Sequence, residues 1–155
     1  MGERSIHHGE LQHDDVRELL AQHFTEMRAG SPPSACHVMT ADALVRDDIL
    51  FLSLRGDDGE LLGVGALRTL DATLGEIKSM RVADGARGTG AGRAMLDAIV
   101  AEARTNGMTR LSLETGTGAL FEPANRLYRA AGIERCGPFG GYRASDFTLF
   151  YTRAI

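Results

Sequence analysis

The stretch Arg87-Gly88-Thr89-Gly90-Ala91-Gly92 follows a strand-like segment, Leu74 to Val82, and leads into an amphipathic helix that ends near Asn106. Glycines let a backbone approach a ligand closely, and the first turn of a helix presents unpaired N–H groups backed by the positive end of the helix dipole. A strand, a glycine-rich turn and a helix N-terminus in this order are typical of an anion-binding site. The segment therefore predicts a site for a phosphorylated ligand.

Basic residues gather around this turn although the whole chain is acidic. Lys78, Arg81, Arg87 and Arg93 are accompanied only by Asp84 in that interval. The 155 residues carry 17 basic and 21 acidic side chains, a net charge of −4. This balance argues against a general nucleic-acid or membrane-surface binder, whereas the local cluster suits a polyanion.

The length of the chain predicts a single domain over residues 1–155. The N-terminal segment lacks an apolar run, and no segment approaches the roughly 20 apolar residues that cross a bilayer. Cys36 and Cys136 lie neither in a CxxC pair nor near a metal-type histidine spacing, so the sequence supports neither a disulfide framework nor a zinc site. We therefore expect a cytoplasmic protein.

Histidines are concentrated near the N-terminus, where His7, His8 and His13 accompany Glu10. Their spacing matches neither a helical nor a hairpin ligand set for a metal. We therefore expect these histidines to be exposed and to bind no metal.

Apolar periodicity and turn residues predict the helices and strands. Residues at helical spacing behind Asp14 and Asp15 predict a helix that ends at Gly30, and Thr40 to Arg46 is expected to form a short second helix. A third helix precedes Gly107, and a fourth begins at Pro123 and ends at Gly132. The predicted strands are Ser5–His8, Ile49–Leu54, Leu61–Leu67, Leu74–Val82, Leu111–Thr115, Ile133–Cys136 and Phe147–Thr152.

The connections between strands predict their directions. Gly56-Asp57-Asp58-Gly59 is a strong hairpin signal, so the strands on either side of it should be antiparallel. A helix-length crossover separates Leu74–Val82 from Leu111–Thr115, so these two strands should be parallel.

This order of elements, with Arg87, Gly90 and Gly92 at the turn, resembles the GNAT superfamily of N-acetyltransferases over nearly the whole chain. The resemblance implies an α/β (α+β) fold: a mixed, mostly antiparallel sheet of about seven strands with a splayed parallel pair, flanked by about four helices. It also implies acetyl-CoA as co-substrate, with no metal. The pyrophosphate of coenzyme A would lie on the turn and the pantetheine arm beside the preceding strand. The implied cofactor-binding residues are Met80, Arg81, Val82, Arg87, Gly88, Thr89, Gly90, Ala91, Gly92, Arg93, Asn125 and Tyr128.

The family reaction needs a base for the acceptor amine, a donor to the carbonyl oxygen and an acid for the leaving thiolate. Tyr128 is the candidate acid, because a tyrosine with its ordinary pKa of about 10 is protonated at neutral pH. A backbone N–H near Met80 is the candidate donor. Glu76 and Glu114 are both candidate bases. Glu76 is placed slightly ahead, since it shares a strand, and by alternation a face, with Met80.

Each catalytic candidate also has a purely structural interpretation. Tyr128 could be a core tyrosine, Glu76 could pair with Lys78 on the same face of the strand, and Glu114 could bond a neighbouring backbone group. Phe139 and Tyr142, in the loop before the last strand, are expected either to line an acceptor pocket or to belong to a solvated loop that also holds Arg143, Ser145 and Asp146.

The predicted function is transfer of an acetyl group to a primary amine of a small molecule. A protein or peptide amine remains an alternative acceptor, and a non-catalytic coenzyme A-binding module remains a rival. The resemblance also makes a homodimer possible. The sequence does not name the acceptor.

Overall fold

Seven strands form one mixed sheet with helices on both faces. The computed structural model describes residues 2–155. Its strands are β1 (Ser5–His8), β2 (Ile49–Arg55), β3 (Leu61–Thr69), β4 (Leu74–Val82), β5 (Arg110–Gly116), β6 (Glu134–Cys136) and β7 (Thr148–Ala154). The sheet order is β1-β2-β3-β4-β5-β7-β6, in which β4 and β5 are the one parallel pair. The predicted mixed, mostly antiparallel sheet is confirmed.

Within residues 2–155, three α-helices accompany the sheet: α1 (Asp14–Ala29), α2 (Ala91–Thr105) and α3 (Glu122–Ala130). Acidic residues open α1, and the N–H of Gly30 closes it on the carbonyl of Glu26. Gly90, in the left-handed region at φ 85°, precedes α2. Pro123 lies in the first turn of α3, where its missing N–H costs no hydrogen bond.

The prediction of a helix over Thr40 to Arg46 is wrong, so the helices number three rather than about four. Thr40 does accept a hydrogen bond from the N–H of Ala43, but only Asp42–Leu44 forms a short 3₁₀ helix. Leu44 is the only buried residue of that segment. Without an apolar stripe to bury, a short helix gains too little from packing to continue.

Two hydrophobic clusters lie on opposite faces of the sheet. Val16, Leu19 and Leu20 of α1 pack on one face against Val64 and Ala66 of β3. The stripe of α2 packs on the other face, together with Tyr128 of α3. The sheet is therefore covered on both sides.

A β-bulge in β4 changes which side chains share a face. Ala66 pairs with Lys78 and Val64 with Arg81, so Ser79 and Met80 together oppose the single residue Gly65. Ser79 adopts φ 52°, a left-handed conformation unusual for a non-glycine residue. The extra residue reverses the alternation beyond it.

The expectation that Glu76 and Met80 share a face is consequently wrong. Met80 packs with the cluster under α2, as Ile77 does. Arg81 contacts Glu26 of α1, on the opposite face, which is also the face of Glu76 and Lys78. The bulge thus divides β4 into a half that presents Glu76 to the α1 side and a half that presents Met80 to the α2 side.

The parallel strands separate beyond their first three pairs. Leu74, Gly75 and Glu76 pair with Arg110, Leu111 and Ser112, whereas both strands run on past that point. Beyond Glu76, the edge of β4 that faces β5 is free of strand pairing. This opening is the predicted splay, and it positions the site.

Candidate active site

A cavity of about 800 Å³ occupies the opening between β4 and β5. It runs from the glycine turn before α2, along β4, to side chains of α1 and of the segment after it. Nearly all residues predicted from the sequence meet at this one cavity. Those that line it are Glu76, Met80, Arg81, Val82, Arg87, Gly88, Gly90, Ala91, Gly92, Arg93, Glu114 and Tyr128.

The glycine turn presents backbone N–H groups to one end of the cavity. Gly88 and Gly90 adopt φ 73° and 85°, conformations that cost other residues free energy. The first helical hydrogen bond runs from the N–H of Ala94 to the carbonyl of Gly90. The N–H groups of Ala91, Gly92 and Arg93 therefore have no acceptor within α2 and are available to an anion.

Two arginines near the turn are tied to acidic partners. Arg81 is buried and forms an ion pair with Glu26, with Asp84 3.7 Å away. Arg87 is exposed and lies 3.1 Å from Asp84. The guanidinium of Arg81 is thus committed to holding α1 on the sheet, whereas that of Arg87 faces solvent and the cavity.

Thr89 and Asn125 are absent from the cavity lining. The Thr89 hydroxyl donates to the carbonyl of Ala86. Asn125 donates from Nδ2 to the carbonyl of Gly116 at 3.0 Å, and its buried Oδ1 has no hydrogen-bond partner. Asn125 therefore fastens α3 to the end of β5, next to the cavity wall.

Glu76 forms the centre of a polar cluster on the α1 side of the cavity. It is 1% exposed, and its Oε2 accepts a hydrogen bond from the Tyr142 hydroxyl. The ammonium of Lys78 lies 3.4 Å from the same oxygen and donates to the Tyr142 hydroxyl at 2.8 Å. The sequence-based alternative of a Glu76–Lys78 pair is observed, but within the cavity rather than at the surface.

Tyr142 reaches this cluster from the loop between β6 and β7. Its ring packs on His37 and Phe139 with centroids 4.9 and 5.3 Å apart. Burial, together with the charge of Glu76 and the hydrogen bond to it, raises the pKa of Tyr142. The hydroxyl is therefore a fixed donor. Phe139 and Tyr142 are half-buried behind Glu76 and do not line the cavity, whereas Arg143, Ser145 and Asp146 of the same loop are exposed.

Glu114 and Tyr128 carry shifted pKa values beside the same cavity. Burial raises the pKa of Glu114 to about 7; the charge of Lys78 lowers it and that of Glu76 raises it further. Burial and the charges of Glu114 and Tyr151 raise the pKa of Tyr128 to about 12. At neutral pH the carboxyl is poised to exchange a proton, and the tyrosine is protonated.

Sequence reasoning missed two histidines and an arginine. His23 and His37 line the cavity; burial lowers the pKa of His23 to about 4 and also lowers that of His37. Arg4 donates to the carbonyl of Thr89 at the glycine turn. No local pattern marks these residues, since each reaches the site from a distant segment.

The described part of the chain, residues 2–155, shows neither a membrane-spanning helix nor a group of three metal-binding side chains. No helix there is both long and apolar enough to cross a bilayer. No three His, Cys, Asp or Glu residues there are grouped to hold a metal ion.

The chain is similar in sequence to known proteins. Residues 13–133 match the Acetyltransferase (GNAT) family. YsnE of Bacillus subtilis (strain 168), an uncharacterized N-acetyltransferase, is 39% identical over 140 residues, which cover 90% of this chain and 92% of YsnE. The IAA acetyltransferase of Azospirillum brasilense is 36% identical over 125 residues, 80% of each protein.

Solved structures share the fold. A proposed acyl-CoA N-acyltransferase from Klebsiella pneumoniae has a TM-score of 0.78 at 22% identity, over 97% of both chains. At this level of identity the similarity concerns the fold alone, whereas the family match and the curated relatives concern the kind of enzyme. The chain belongs to the GNAT family of N-acetyltransferases and is an acyltransferase.

Proposed function

We propose that this enzyme transfers the acetyl group of acetyl-CoA directly to a primary amine of a small molecule. One observation carries the proposal: a single cavity joins an anion-binding helix N-terminus to a buried cluster of titratable side chains. The first feature suits a phosphorylated donor, and the second suits proton transfer at an amine.

The chain fits a coenzyme A thioester at three places. The unpaired N–H groups of Ala91, Gly92 and Arg93 would hold the pyrophosphate. The backbone at Gly92 is closely packed, since a Cβ there would approach Leu127 Cδ2 to 3.1 Å. The free edge of β4 from Ile77 to Val82 would pair with the amides of the pantetheine arm.

Bound acetyl-CoA supplies a thioester, whose carbonyl carbon bonds to the amine nitrogen while its bond to sulfur breaks. The protein must then accept one proton from the amine and supply one to the sulfur. We assign the first task to Glu114 and the second to Tyr128, because their pKa values of about 7 and 12 leave one ready to accept and the other protonated.

Glu114 suits the base better than Glu76 does. Glu76 already accepts the Tyr142 hydrogen bond and lies beside Lys78, so one of its oxygens is engaged. Glu114 lies on the same face of the sheet, but its carboxylate forms no hydrogen bond with the other residues of the described part of the chain.

The experiment is a panel of primary amines, peptides and an amine-free control, with release of free thiol from acetyl-CoA as the readout and product mass as confirmation. We expect thiol release that depends on a small amine. Transfer to peptides alone would establish the peptide alternative. A rise in melting temperature with acetyl-CoA, but no transfer to any acceptor, would indicate the non-catalytic module.

A further inference from the structure

Lys78 is the single lysine among the 17 basic residues of the chain. Its side chain is 8% exposed and lines the cavity. The ammonium has three N–H donors; one points to the Tyr142 hydroxyl at 2.8 Å and one to Glu76 Oε2 at 3.4 Å. A third donor is left for a ligand.

Glu76 leaves a matching acceptor unused. Its Oε1 is buried and has no hydrogen-bond partner. The nearest cation on that side, Arg68, is 3.9 Å away and itself donates to Asp48. Because a buried carboxylate oxygen without a donor is unfavourable, a ligand donor is the natural partner for Oε1.

Arg81 is held by Glu26, and Arg68, which lies 3.9 Å from Glu76 Oε1, donates from Nε to Asp48. Glu114 is the other charged group near the pair, and the charges of Lys78 and Glu76 both shift its pKa. Lys78 and Glu76 therefore form a side-by-side pair with one spare donor and one spare acceptor. Such a pair complements a ligand that carries an ammonium and a carboxylate on neighbouring atoms.

We propose that the acceptor is a free α-amino acid, bound through its carboxylate by Lys78 and through its ammonium by Glu76. The inference rests on the proposed function, in which Glu114 takes one proton from the acceptor nitrogen. A bound ammonium first releases one proton to solvent, and the nitrogen then loses its second proton to Glu114 as it bonds to the thioester carbon. Met27 and Val38 line the cavity on the α1 side, so the amino acid carries an apolar side chain. A simple diamine is disfavoured, because its second charge would meet Lys78.

The test uses matched acceptors that differ only in the carboxylate. L-phenylalanine is compared with phenethylamine and L-phenylalaninamide, and L-methionine with 3-(methylthio)propylamine, by kcat/KM at saturating acetyl-CoA. We expect at least about a tenfold preference for the amino acids, because a charge-assisted hydrogen bond contributes about 1.5 kcal/mol or more. Equal or faster acetylation of the amines without a carboxylate would overturn the inference.

Substitution of Lys78 tests whether this residue causes the preference for amino acids. Lys78→Met should abolish the preference, mainly by raising KM for the amino acid relative to KM for the matched amine. Arg104→Met, which removes a charge from an exposed position on α2, is the control and should keep the wild-type preference for amino acids. Because Lys78→Met leaves Glu76 buried without its cation, Glu76→Gln with Lys78→Met serves as the folded, charge-neutral variant, and retention of the preference there would contradict the proposal.

A binding measurement separates this inference from the transfer reaction. With one lysine in the chain, ¹⁵N-labelled protein shows a single lysine ammonium signal by NMR. Addition of L-phenylalanine should shift that signal, whereas phenethylamine should not. If no amine is acetylated, the proposed function fails, and this signal still decides whether the site binds an amino acid: a shift supports it, and an unmoved signal overturns it.

Discussion

The two ends of the cavity are built by different means. The end proposed for the donor presents the backbone N–H groups of Ala91, Gly92 and Arg93 from one contiguous stretch and depends on glycine conformations. The end proposed for the acceptor is lined by the side chains of Glu76, Glu114 and His37 from three separate segments, and Tyr142 from a fourth segment is hydrogen-bonded to Glu76. Damage to the donor end should therefore act through backbone geometry and cofactor affinity, whereas damage to the acceptor end should act through proton transfer and acceptor binding.

The largest effect is expected from Glu114→Gln at the acceptor end. Loss of the base should lower kcat by about 10² to 10⁴-fold with little change in acetyl-CoA affinity. The pKa of Glu114 is about 7, so wild-type kcat/KM should fall as the pH drops through that value and the carboxylate takes up a proton. The variant should lack this limb of the pH–rate profile.

Glu76→Gln is the matched comparison for that experiment. It should alter acceptor KM more than the pH–rate profile, because we place Glu76 in binding rather than proton transfer. If Glu114→Gln keeps wild-type turnover and Glu76→Gln loses the fall in kcat/KM at low pH, the base is Glu76 rather than Glu114.

Tyr128 lies between the two ends of the cavity. Tyr128→Phe should lower kcat by about 10²-fold, which is the smallest effect typical of losing a general acid. The effect is limited because a thiol with its ordinary pKa of about 8.5 is already a fair leaving group. Acetyl-CoA affinity, measured by calorimetry, should stay near the wild-type value. Unchanged turnover would remove Tyr128 from the acid role.

Gly90→Ala tests the donor end. A side chain at φ 85° is strained by about 1–2 kcal/mol, so the turn should shift and acetyl-CoA affinity should fall by about tenfold. Gly85→Ala is the control, since a Cβ there meets nothing within 4 Å and Gly85 is outside the left-handed region. Equal affinities for the two variants would mean that the turn does not hold the cofactor.

The smallest effect is expected from Arg4→Ala, which removes the donor to the Thr89 carbonyl. Exposed polar contacts of this kind contribute little, so acetyl-CoA affinity should weaken by about twofold to threefold, and less at high salt. Arg104→Ala is the control. An effect as large as that of Gly90→Ala would show that Arg4 contacts the cofactor rather than only supporting the turn.

Much of the fold was accessible from local patterns. All seven strands were predicted within a residue or two at each end, because alternating apolar residues and turn glycines are local signals. The parallel pair followed from the length of its connection. The prediction of a helix over Thr40 to Arg46 failed because this segment has no apolar face to bury against the sheet.

The side-chain arrangement was less accessible. The bulge at Ser79 and Met80 depends on how β4 aligns with β3. Serine rarely adopts a left-handed conformation, so nothing in the sequence predicts one at Ser79. The bulge reversed the expected face of Met80 relative to Glu76. Tyr142, although noted in its loop, became a partner of Glu76 only because the chain folds back across 66 residues.

The local sequence was enough to reveal the strand, the glycine turn and the helix N-terminus, since each depends on neighbouring residues and on backbone groups that every residue carries. It was therefore enough for the anion site and, through the resemblance, for the family. Tertiary structure alone decided which side chains meet at the acceptor end. Burial there raises the pKa of Glu114 and places Lys78 beside Glu76, and burial is a property of the packed molecule rather than of any segment.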